Sequence, residues 1–129
     1  MKKKSNIPEQ YVLHHLQKKK FTIKINKYTK TVPDNIFKAS YIRYEIECLE
    51  AGWKTARRFN DFVWLRSYLM MAYRGVPVPP IPEKTTIRSF DEKHIEYRMK
   101  VLERFLNTLI RIPETCSDLM LEAFLRGDE

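Results

Sequence analysis

The chain has 129 residues, enough for one hydrophobic core and too few for two domains of ordinary size. Apolar residues make up 43% and charged residues 31%, a globular balance, and no stretch approaches the roughly 20 apolar residues that cross a bilayer. With 24 Lys and Arg against 16 Asp and Glu the net charge is +8, a field that attracts nucleic acid, an anionic membrane or a phosphorylated ligand without choosing among them.

Residues 1–19 open on Met1-Lys2-Lys3-Lys4, lack the apolar run of a signal peptide, and offer only Tyr11, Val12, Leu13 and Leu16 for an amphipathic turn or two. They read as a basic extension to a domain over 20–126, with 127–129 as a tail leading to a further region. Phe21, Ile23 and Ile25 alternate with polar residues, as do Ile42, Tyr44, Ile46 and Cys48, which is the period of half-buried strands. Asn26 to Ala39, with Pro33-Asp34-Asn35, reads as a long loop between them. Ala51-Gly52 reads as a tight turn into a third strand, Trp53 to Arg58.

After Phe59 the period changes. Asn60 can cap a helix carrying Phe62, Leu65 and Leu69, about four turns ending near Gly75. Four prolines between Val76 and Lys84 fix φ and remove donors, so this segment is an extended polyproline II connector. Ser89 and Glu92 offer a capping box for a long helix running to about Arg111 before Pro113, with Ile95, Met99, Leu102, Leu106 and Leu109 as its buried stripe. A short helix, Asp118 to Leu125, follows. Strands first and helices after predict an α+β fold, a three-stranded antiparallel sheet packed against a helical subdomain.

Cys48 and Cys116 form no CxxC pair, so neither zinc nor a disulfide framework is indicated, and reduced thiols are expected. Placed at 100° per residue, the apolar residues of the long helix fill an arc of about 140° that also contains Arg98. Lys93, Lys100, Arg104 and Arg111 face the other way. A guanidinium turned inward needs an anion, which is either a strand glutamate or a ligand. Arg57-Arg58 at the strand–helix junction are either solvated charges or ligand contacts, and Lys84, held by the rigid segment before it, suits a phosphate.

Taken in order and spacing, the runs RRFNDF, PPIPEK and IEYRMKVLERFL resemble the phox-homology (PX) family, and the resemblance covers Phe21 to Leu125. The proline run and following helix look most like the sorting-nexin branch. The resemblance implies a lipid-headgroup site for phosphatidylinositol 3-phosphate: Arg58 on the 3-phosphate, Phe59 beneath the inositol ring, Lys84 on the 1-phosphate and Arg98 on the 4- and 5-hydroxyls. It further implies shallow membrane insertion after the proline run, through Ile87 with Val76 and Val78, and with Arg88 meeting acidic headgroups. Phe90 is expected in the core. The implied role is endosomal protein sorting on the cytosolic membrane face, without catalysis, cofactor or metal, in a longer protein that dimerises through a BAR-type region outside this chain.

No GxGxxG, HExxH or GxSxG motif occurs, and the histidines His14, His15 and His94 form no ligand cluster, so an enzyme is not expected. Glutamates alternating with Tyr44 would repel a nucleic-acid backbone. The alternative is a PX-type protein-interaction module, since VPVPPIP resembles a ligand for aromatic-lined grooves.

Overall fold

The computed structural model describes residues 21–83 and 91–127. Strands β1 (Ile23–Thr31), β2 (Tyr41–Cys48) and β3 (Trp53–Arg58) form an antiparallel sheet in the order β1-β2-β3. Helices α1 (Phe59–Ala72), α2 (Glu92–Leu109) and α3 (Leu119–Arg126) complete the α+β fold.

The alternation in β2 sends Tyr44, Ile46 and Cys48 into the core, where Ile23 and Ile25 of β1 join them. Phe62 of α1 is the aromatic hub, edge-on to Phe124 at 5.0 Å, Phe105 at 6.4 Å and Tyr44 at 6.5 Å. This geometry lets one ring tie α1 to β2, α2 and α3. The α2 stripe is buried as its spacing requires.

Strand β1 runs six residues further than the Phe21–Ile25 alternation indicates, to Thr31. A register irregularity between Lys24 and Lys27 breaks the period, and beyond it only Tyr28 packs partly against the core, so the alternation that marks a strand is missing. The outer edge of β1 is covered by side chains of α2. Asn107 accepts from Ile23 N at 2.9 Å and donates to Ile23 O at 3.0 Å, and Glu103 accepts from Ile25 N at 2.8 Å. These contacts satisfy backbone groups that an edge strand leaves open. The open cleft of about 450 Å³ between β1 and α2 is lined by these same engaged residues.

The β2–β3 turn needs a left-handed residue, supplied by Gly52 at φ 74°. Helix α1 starts one residue before Asn60, at Phe59, and its N-cap is Arg58, whose N–H is taken by Asp61 Oδ2 at 2.9 Å. The N-cap of α2 is Asp91, which accepts from His94 N, while Ser89 lies outside the described residues. That helix ends at Leu109 rather than Arg111, whose guanidinium instead binds the carbonyls of Asn107 and Phe21.

Asp118 caps α3 with one carboxylate oxygen, accepting from Met120 N and Leu121 N at 2.9 and 3.0 Å. Its other oxygen accepts from Tyr68 at 2.9 Å and Tyr73 at 2.6 Å, which fastens the end of α1 to the start of α3. Burial, reinforced by this carboxylate, pushes the Tyr68 phenol up to about 12 and Tyr73 higher still.

Candidate functional site

The strand period separates the two arginines of the junction. Arg57 pairs with Tyr44 on the core side of the sheet, donates to the carbonyls of Phe124 and Ala123 at 3.2 Å each, and lies 5.1 Å from the Phe124 ring. It therefore closes the C-terminal end of α3, a structural task. Arg58 points to the opposite side, with its guanidinium 4.3 Å over the Tyr41 ring.

Arg58 is also an unusual N-cap. Asp, Asn, Ser and Thr dominate there because they accept from the first-turn N–H groups, whereas a guanidinium has only donors. The N-terminus of α1 thus combines first-turn N–H groups that receive no bond from the cap side chain, the positive end of a helix dipole and a guanidinium, which suit an anion against the single opposing carboxylate of Asp61.

Arg98 reaches this junction from α2. Its guanidinium lies 3.9 Å over the Phe59 ring, and its Nε is buried with no acceptor among the described residues. No described carboxylate forms an ion pair with Arg98, so the strand-glutamate alternative does not hold. Burial raises the Tyr44 phenol above its usual range, and the neighbouring Arg98 charge works against that rise.

Phe59 is 8% exposed and belongs to the core, with Arg98 covering one ring face. In this state it is a shelf for Arg98 rather than an open platform for a sugar ring. Arg58, Phe59 and Arg98 thus come together at one junction, while Lys84, Ile87, Arg88 and Phe90 lie outside the described residues.

The proline segment approaches the same helix. Pro79 O accepts from Arg66 Nε at 2.9 Å, and Val78 and Ile81 pack against the core. Val78 therefore has little area left for a bilayer, and Val76 is half-buried. The apolar side chains most exposed among the described residues are elsewhere, Ile36 at 90% and Phe37 at 89%, in the β1–β2 loop. Asn35 holds their turn, accepting from Phe37 N at 2.8 Å and, through its carbonyl, from Lys38 N at 3.1 Å. Because β2 and β3 are antiparallel, this loop leads into Tyr41 at the same end of the sheet as Arg58. Sequence reasoning missed this pair; its one signal was an apolar dipeptide inside a turn-rich stretch.

The PX domain family model matches residues 49–128. The chain belongs to the PX family. Sorting nexin 1 of Arabidopsis thaliana is 40% identical over 75 residues, which are 57% of this chain and 19% of that protein. Sorting nexin mvp1 of Neurospora crassa is 33% identical over 97 residues, 71% of this chain and 12% of the relative. A designed CISK-PX domain solved by X-ray has a TM-score of 0.69 at 29% identity, covering 81% of this PX chain and 98% of that one. The chain spans about a tenth to a quarter of the length of the curated relatives it matches. PX domains of sorting nexins are phosphoinositide-binding modules of membrane trafficking, and this domain is one in kind. None of its described helices is long and apolar enough to cross a membrane.

Proposed function

We propose that this PX domain binds phosphatidylinositol 3-phosphate and so attaches its protein peripherally to endosomal membranes, without catalysis. The observation that carries the reading is the junction at the start of α1, where Arg58 replaces an accepting cap and the inward-turned Arg98 lies on Phe59 without a carboxylate. In this reading the 3-phosphate takes Arg58 and the first-turn N–H groups of α1. Arg98, held flat by Phe59, donates to the ring hydroxyls, and Lys84 follows the anchored proline run to meet the 1-phosphate.

In this reading membrane contact falls to Ile36 and Phe37, together with Ile87 and Arg88, the insertion residues implied by the family resemblance. Burying one such apolar side chain contributes about 1.5–3 kcal/mol, enough to supplement the headgroup but not to replace it. The protein-interaction alternative is less favoured, because the proline run spends Val78, Ile81 and the Pro79 carbonyl on contacts within the domain.

Co-sedimentation with vesicles carrying each phosphoinositide at physiological salt tests this. Selective pelleting with phosphatidylinositol 3-phosphate, lost in Arg58→Ala, is expected. Equal pelleting with every headgroup, or an unaffected variant, would refute the site.

A further inference from the structure

Strand β2 places a third arginine at this junction. Arg43 is the register partner of Arg58 across β2 and β3, on the sheet face opposite the buried Tyr44. Its Nη2 donates to Ala56 O at 2.9 Å, on the side of this pair away from Tyr41, so the Arg43 and Arg58 guanidiniums splay apart here and Arg43 must leave that carbonyl to share an anion with Arg58. Like charges directly opposite in an antiparallel pair are unfavourable, a cost that the splay relieves and that an anion shared between the two guanidiniums would offset. Neither arginine forms an ion pair with a described carboxylate.

Resting on the headgroup reading above, we infer that Arg43 is the second cation of the phosphate subsite and tunes it for a phosphate monoester over a diester. A monoester carries close to two negative charges at neutral pH, with a second pKa of about 6, whereas a diester carries one. Arg58 contributes one positive charge and the α1 N-terminus about half of one. Asp61, bound to the Arg58 N–H, subtracts from that total. Without Arg43 the subsite is therefore matched to a monoanion, and with it to the dianion.

The remaining charged and titratable neighbours do not supply this function. Glu45 on the same face of β2 has Lys27 of β1 as its register partner, Thr29 is the β1 partner of Arg43, and Tyr41 lies under Arg58. Arg98 of α2 is held on Phe59. His94 stands one turn before Arg98 on α2 and is the same in wild type and variant.

The test is calorimetric titration of wild type, Arg43→Gln and Arg43→Lys with inositol 1,3-bisphosphate, at about pH 7.5 and about pH 5.5. A parallel arm uses vesicles of phosphatidylcholine with phosphatidic acid, a monoester without an inositol ring. Arg43→Gln is expected to lose about tenfold in affinity at the higher pH, as for loss of one charge-assisted hydrogen bond, and under about threefold at the lower. Arg43→Lys restores part of that difference. An equal loss at both pH values, or no loss, overturns the inference. Wild-type binding to phosphatidic acid alone, dependent on Arg43 and pH, would uphold the monoester subsite and refute the headgroup reading; binding to neither probe refutes both.

Discussion

Replacing Arg98 by methionine separates function from stability in a way that ordinary core positions do not allow. The buried Nε without an acceptor costs about 1–3 kcal/mol, and the stack on Phe59 returns about 0.5–2 kcal/mol. A methionine of similar reach keeps a sulfur–aromatic contact of about 0.3–1.5 kcal/mol and removes the orphaned donor. The two sides nearly cancel, so Arg98→Met should change folding stability by no more than about 1 kcal/mol. With a urea m-value of about 1–3 kcal/mol per molar, the denaturation midpoint should move by less than about 1 M, read by circular dichroism or tryptophan fluorescence. The same variant should lose inositol 1,3-bisphosphate binding. Were Arg98 a structural partner of a buried carboxylate, truncation would cost about 3–5 kcal/mol instead. A destabilisation of that size, or retained headgroup affinity, would refute the reasoning.

Two further outcomes follow from the packing and the loop. Asp118→Ala removes the α3 cap and leaves the hydroxyls of Tyr68 and Tyr73 without their acceptor, so a loss of about 2–4 kcal/mol is expected in urea unfolding. The paired substitution Ile36→Ser and Phe37→Ser should weaken vesicle binding at least about tenfold while leaving titration with the soluble headgroup unchanged, since both side chains lie outside the domain's own contacts.

The elements whose apolar period is complete were legible in the sequence. The α2 stripe both defined a helix and showed that Arg98 turns inward, because a single rotation angle places every side chain on a helix. The second half of β1 was not legible, since the irregularity between Lys24 and Lys27 ends its alternation and only the half-buried Tyr28 follows. At the junction, the doublet Arg57-Arg58 looked uniform as letters, yet strand alternation sends one to α3 and the other to the open face. The covered face of Phe59 and the place of Arg43 depend on which helix and which strand pass nearby. Those contacts are tertiary and leave no local trace. The cap at Asp91 shows the limit of a short motif, where an acid nearer the helix start does what Ser89 was expected to do.

Nuclear magnetic resonance titration with inositol 1,3-bisphosphate tests the central claim most directly, because it locates the ligand without a bilayer. The account predicts saturable shifts concentrated at the amides of Arg58 to Asp61 and at the Arg98 guanidinium, absent in Arg58→Ala. Shifts confined to the cleft between β1 and α2, or none at millimolar ligand, would contradict it.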